Sequence, residues 1–393
     1  MWRIKQFKNE IPMISLVGLL ALSLVFGWVR YGYGLLLPNF EKEFNLSAST
    51  LGIISSLSFF SFFIGALLVT IFISKLGPKW FILAGILSGS IGLMVSALAQ
   101  SGFMFAVGCF ISGFSPGLCW SSFSDSVRQN IKESLQKRSL AIISTGSSLG
   151  LVGIAAIYLL IDGDGWRYLW GIGGVIGLFI FLWASRTIPP GTLRDSPQYN
   201  KSQERSSVIN HQSIPLYMAS FVFGITEATY WTFSADFVQQ TFSINEANAI
   251  LFLITGIGGL GGLLAGDFIN LIGFKKSFII TVVFYALSML MLFFSQSWLI
   301  ICLSGFLFGL TFMLYAAFLP IWSAEVFPSA PAKGFSISIM VLNVGTIAGP
   351  ALFGGILAVM EYKWIFLFMG LIACVKVLWT PRRRQELSAG TTN

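Results

Sequence analysis

Two charged side chains stand where charge is costly. Arg30 lies in FGWVRYGYGLLLP and Glu227 in FGITEATYWTF, each inside a long apolar run. A guanidinium presents its N–H donors in a fixed fork that matches a carboxylate or phosphate, so a buried arginine suits recognition of an anionic group. A glutamate in the same surroundings either serves as a counter-ion or takes up a proton. Tyr33 follows Arg30 by three residues, and Tyr230 and Trp231 follow Glu227 by three and four, with Phe223 four before it. On a helix these spacings share a face. Trp120, Tyr315 and Asn343 are further candidates for the lining of a binding site. Two other readings stay open at this point. The charges could form an ion pair that only fixes geometry, or one of them could face away from the other, and aromatic stripes more often serve packing than binding.

The elements that position these residues follow from a repeat. Shifted by 196 residues, the chain aligns with itself without a gap: Gly77 and Lys79 meet Gly273 and Lys275, Gly113 meets Gly309, Arg167 meets Lys363, and Trp183 meets Trp379. Position 226 is the equivalent of Arg30, and Glu227 is its neighbour. The two charges are therefore expected at similar depth in two similar halves.

Hydrophobic residues make up 55% of the 393, charged ones only 10%, and mean hydropathy is +0.80. An average soluble domain has about 25% charged residues, so the chain belongs in a membrane. Apolar runs fall near 12–37, 49–73, 80–100, 104–125, 139–161 and 166–186, then 214–238, 247–270, 277–296, 298–323, 335–360 and 363–381. Each approaches the roughly 20 residues a spanning helix needs, and backbone groups in hydrocarbon must be satisfied within the segment. The expectation is an all-α membrane protein of twelve spans: a six-helix bundle at 1–186, a cytoplasmic linker at 187–213, and a second bundle at 214–393. Arg30, eight residues before Pro38, falls near the midplane, where an arginine needs a partner or a wet cavity.

With both termini in the cytoplasm, 19 of the 24 Lys and Arg fall on that side, among them Lys75, Lys79, Arg128, Arg186, Lys275 and the run Arg382 to Arg384. That bias orients the chain by the positive-inside rule. It also accounts for the net charge of +8, so no nucleic-acid partner is implied. Lys376, near the inner end of the last run, is in reach of the interface by snorkelling, and Asp236 falls at the opposite water boundary. Cys109, Cys119, Cys302 and Cys374 lie in apolar runs without CxxC spacing and read as core residues. The sole histidine, His211, sits in the polar linker, whose composition suits a flexible connection. No metal site or cofactor is expected. The first run is too long for a cleaved signal and is expected to remain as an anchor.

The loops after the second and eighth runs, SKLGPK at 74–79 and NLIGFKK at 270–276, carry degenerate copies of a GxxxDRxGRK signature. GDGWRYLW at 163–170, AEVFP at 324–328 and GTIAGP at 345–350 add to the likeness. In these features nearly the whole chain resembles a major facilitator superfamily transporter, and RYGYGLLLP is similar to a segment of its YbfB/YjiJ-like group. The resemblance implies two pseudo-symmetric six-helix bundles that rock about a midplane site. It also implies a gate formed by loop charges and helix ends, here Lys75, Gly77, Lys79, Gly273 and Lys275, with Asp125, Arg128, Asp267 and Glu325 as partners. Ser74 and Asn270 stand where the signature has aspartate. Leu151 follows Gly150 where the antiporter signature has GP, and Cys109 stands where many proton-coupled relatives have arginine.

The expectation is a monomeric, multi-pass secondary transporter of the cell membrane. It moves a small organic anion or zwitterion together with or against protons, with Arg30 and Glu227 at the site and Glu227 as proton carrier. The alternative within the fold is efflux of hydrophobic or cationic compounds. A membrane enzyme would show a nucleophile with its base or a metal cluster, and a sensor an attached domain; neither pattern occurs in the sequence, so no catalytic residue is assigned.

Overall fold

A computed structural model describes residues 12–161, 165–190, 211–242, 246–294, 297–328 and 331–380. Most of the linker, 191–210, and the basic residues at the two chain ends lie outside them. Twelve helical segments result: α1 (Met13–Leu35), α2 (Ala48–Leu76), α3 (Pro78–Ala97), α4 (Gly102–Asn130), α5 (Glu133–Leu160), α6 (Trp166–Thr187), α7 (Ser213–Thr241), α8 (Ala247–Ile272), α9 (Phe274–Phe293), α10 (Trp298–Val326), α11 (Pro331–Ile356) and α12 (Tyr362–Val375). Beyond Leu36 a short helix, Leu37–Phe44, extends α1. The bounds of α3 and α4 recur in α9 and α10 at the offset of 196.

Ten of the twelve are long and apolar enough to cross a bilayer; α7 and α12 are not. The reasons differ. Helix α12 has 14 residues before a 3-10 turn. Helix α7 is interrupted by Ser, Thr, Glu and Asp, but Leu216, Ala219 and almost every residue from Val222 to Val238 are buried, so other helices surround it and lipid does not.

Local chemistry sets the ends. Ser47 caps α2 by accepting the Thr50 N–H at 3.2 Å, and Ser101 caps α4 by accepting that of Met104 at 3.3 Å. The signature glycines end α2 and α8 in one backbone conformation, φ 75°, ψ 162° at Gly77 and φ 83°, ψ 155° at Gly273. This region is essentially closed to residues with a Cβ. Gly273→Ala is expected to destabilise the fold by roughly 1–3 kcal/mol, although open space surrounds that site. Thermal unfolding in detergent checks it, with Gly355→Ala, also in open space but inside a helix, as the control that should hold wild-type stability.

The two six-helix bundles meet along α2 against α11 and α5 against α8. Between them runs a cavity lined by α1, α2, α4, α5, α7, α8, α10 and α11, and by no residue of α3, α6, α9 or α12. These four lie on the outside. On α6, Tyr168, Ile172 and Phe179 expose large apolar surfaces suited to lipid.

Candidate functional site

Arg30 stands on an unusual part of α1. Residues Ser23–Tyr31 form a π-helical stretch, whose wider i→i+5 turns accompany functional sites in many helices. Its neighbours explain the deformation. Gly27 lies against the backbone of Gly150 and Leu151 in α5, and Ser23 Oγ donates to both Leu19 O at 2.8 Å and Gly146 O at 2.9 Å. The wall of α5 thus presses on α1 through small residues, and the backbone opens to receive it.

The consequence is the position of the guanidinium. Arg30 Nη2 donates to Glu227 Oε1 of α7 at 2.6 Å, with side-chain exposures of 9% and 1%. Three phenylalanine rings of the first half surround the cation, Phe59 at 5.0 Å, Phe62 at 5.2 Å and Phe26 at 5.9 Å from their centroids. Such contacts favour an Arg at a partly desolvated position. The pair is incompletely satisfied: Arg30 Nε and Glu227 Oε2 are buried with no hydrogen-bond partner among the described residues. Each partner has capacity left for a further group.

From this pair a cavity of about 360 Å³ extends toward the end at which α1, α5 and α11 begin, within the size range of small-molecule sites. Phe26, Phe62, Trp120, Phe223 and Phe312 give it aromatic walls, and Thr145, Ser147, Ser148 and Asn343 supply polar atoms. Both amide atoms of Asn343 are buried and unpaired. On the other side of Arg30 only a void of about 20 Å³ remains, enough for one water. Beyond it the halves are closed: Tyr31 stacks on Trp231 at 4.2 Å, Ser55 Oγ and Thr232 Oγ1 are 2.8 Å apart, and Asn248 Nδ2 donates to Leu35 O at 2.8 Å.

Residues 22–374 match the family described as "Uncharacterised MFS-type transporter YbfB", which covers most of the chain. The protein is a major facilitator superfamily transporter. It is similar to the sialic acid transporter NanX of Escherichia coli, with 24% identity over 292 residues, 70% of each chain. A gentisate transporter of Corynebacterium glutamicum is 28% identical over 165 residues, 40% of this chain and 36% of its own length. In fold it resembles the inward-open xylose transporter XylE of E. coli, with a TM-score of 0.78 at 15% identity over 96% of this chain and 98% of that one.

Of the eight residues expected at the site, the transporter brings Arg30, Glu227, Trp120 and Asn343 to the cavity. The other four lie elsewhere. Tyr33 is buried against Phe40 and Phe105, and its hydroxyl donates to Leu51 O at 2.7 Å. Three residues on from Arg30, it shares with Arg30 the small void and not the cavity, which Tyr31 lines instead. Tyr230 stacks on Phe308 at 3.6 Å and its hydroxyl meets Ser304 Oγ at 3.3 Å, inside the second bundle. Trp231 lies behind Tyr31 and lines only the small void. Tyr315 donates to Ala219 O at 3.1 Å and is fully buried. The sequence signal for the missed lining residues, Tyr31, Phe62, Phe312, Ser147 and Ser148, was confined to aromatic and hydroxyl content in α1, α2, α10 and α5.

Lys376 and Asp236 also depart from expectation. Lys376 does not reach the interface: it is fully buried, with Nζ 3.8 Å from the ring centre of Tyr285, 4.6 Å from that of Tyr315 and 5.0 Å from that of Phe223. Asp236 is 1% exposed and accepts hydrogen bonds from Tyr362 and Gln240. Cys374 is exposed, whereas Cys109 and Cys119 are buried. In the expected gate, Asp125 pairs with Arg128 of its own helix, and Lys79 Nζ donates to Ser185 O of α6 at 2.8 Å. Lys75, Asp267 and Lys275 form no ion pair with a described residue, and Glu325 stands exposed near the end of α10. These charges border the end toward which the cavity extends.

Proposed function

We propose that this transporter carries a small organic anion or zwitterion across the cytoplasmic membrane by alternating access, coupled to protons. Its bundles, residues 1–186 and 214–393, rock about the pair Arg30–Glu227 in a single chain, with both termini and the linker 187–213 in the cytoplasm. The observation that carries this reading is the half-satisfied pair at the blind end of the cavity. A substrate carboxylate takes the free donors of Arg30, and Glu227 holds the compensating charge or a proton. Asn343 and Trp120 bind the uncharged part. The named substrates of two relatives, sialic acid and gentisate, are organic acids and support the same class. The charges at Lys75, Lys79, Asp125, Arg128, Asp267, Lys275 and Glu325, with the turns at Gly77 and Gly273, close the cytoplasmic end in the alternate state.

The aromatic walls favour one competing reading, efflux of hydrophobic or cationic compounds with Glu227 as the binding group. One experiment separates the two. Purified transporter in liposomes is tested with labelled organic acids and with cationic dyes under an imposed pH gradient. Organic-acid movement that collapses with the gradient is the expected result. Dye movement without acid movement overturns the anion assignment.

A further inference from the structure

A second pair of acidic groups joins the halves, away from the cavity. Glu41, on the extension of α1, is half-buried, and its carboxyl faces that of Asp236 in α7 across the side-chain amide of Gln240. Asp236 Oδ2 also accepts from Tyr362 and from Gln240 Nε2, the latter at 3.0 Å, and the same Nε2 lies 3.5 Å from Glu41 Oε2. Two carboxylates offer only acceptors to one another. Gln240 can donate to both, but two carboxylates held this close repel each other unless one of them carries a proton.

We propose that Glu41 and Asp236 form a proton-binding site, separate from the substrate cavity, that latches the two halves together at the end where α1 runs into its extension. The latch holds one proton while that end is closed and releases it when the end opens at neutral pH. Asp236 is 1% exposed and Glu41 half-buried, so a proton held between them is shielded from water. Tyr362 and Gln240 are neutral donors from the same half as Asp236. Helix α8 contributes Asn248, whose Nδ2 is committed to Leu35 O. On the adjoining elements, Lys363 pairs with Glu361 at 2.7 Å and Arg167 with Glu43 at 2.8 Å, and Lys42, which is exposed, and Glu246, which precedes α8, are the further charges.

The sign of the pH dependence follows. Burial, then the charge of Asp236 and the hydrogen bond to it, push the Glu41 carboxyl up from 4.5 to about 7 in the closed arrangement. Once separated into water it returns to the ordinary value. The closed end therefore binds the proton more tightly, and its advantage is complete below the open-state value and lost as pH rises to about 7. Within that window one proton separates the states, so each unit of pH shifts the closed-to-open ratio by up to about tenfold. Acid outside would favour closure of that end without the proton having to cross the membrane.

The latch rests on the alternating-access reading but not on any substrate. Leu98 and Phe294, related by the repeat, are 68% and 64% exposed at the ends of α3 and α9. Spin labels on Leu98→Cys and Phe294→Cys, with Cys374→Ser, report the separation of the halves at that end. Between pH 5 and 7 the short-distance to long-distance ratio should fall by about forty-fold. Asp236→Asn and Glu41→Gln place an N–H where the proton was, so each should hold the end closed and lose this dependence. A ratio that does not change with pH in the parent overturns the latch, whether one distance is present or two, and two distances leave alternating access standing. Full pH dependence in both amide variants overturns it as well.

Discussion

Arg30→Gln and Glu227→Gln should each lower transport of the organic acid at least about a hundred-fold in liposomes. Removing one partner of a buried ion pair leaves an uncompensated charge, which costs roughly 3–5 kcal/mol, or two to three powers of ten in an equilibrium. The surroundings of this pair sharpen the expectation. The three phenylalanine rings around Arg30 offer no acceptor to replace Glu227, and Glu227 Oε2 already lacks a partner. The double variant separates a structural pair from a binding site. It leaves no unpaired buried charge, so its melting temperature should recover toward wild type, whereas transport should stay lost because no cation remains to meet the substrate. Wild-type transport by the double variant would mean that the pair only fixes geometry.

The second large effect is expected at the closed end. The Cβ direction of Gly34 in α1 runs into the carbonyl oxygen of Trp231, and that of Gly52 in α2 into the carbonyl of Pro350, with the ring of Phe233 at 3.1 Å. In both places the obstruction is backbone of the other half, which cannot move aside as a side chain could. Combining Gly34→Val with Gly52→Val should therefore hold that end open and abolish transport, while each half folds normally because its own packing is untouched. Holding a two-state equilibrium on one side takes about 5.5 kcal/mol for a change from 99:1 to 1:99, within reach of two such overlaps. The check is Ser55→Cys, at a position 3% exposed beneath the closure. A membrane-impermeant thiol reagent should leave it intact in the parent and modify it rapidly in the double glycine variant. Equal protection in both would show that the end closes despite the added side chains.

Much of this was legible in the chain. Helix count and repeat are written locally, since hydrocarbon demands long apolar helices. The repeat carried one fact further: because the halves share a fold, alignment of Arg30 beside Glu227 in sequence meant equal depth in space, and the pair forms at 2.6 Å. The charges at Asp236 and Lys376 were misread from sequence because distance from a helix end says nothing about what covers a residue. Asp236 near its end of α7 is covered by the extension of α1 and by Tyr362, and Lys376 by three aromatic rings.

The sequence by itself determined the twelve helices, their order, the twofold plan and the two charges at its centre, all properties of composition and of spacing along the chain. Only the tertiary structure decided which side of each helix meets the cavity. Tyr31, not Tyr33, came to line the cavity, and the docking of the two halves brought Glu41 to Asp236. Both depend on rotation about a helix axis and on contacts between residues nearly two hundred positions apart, which the 3.6-residue period of a regular helix cannot supply.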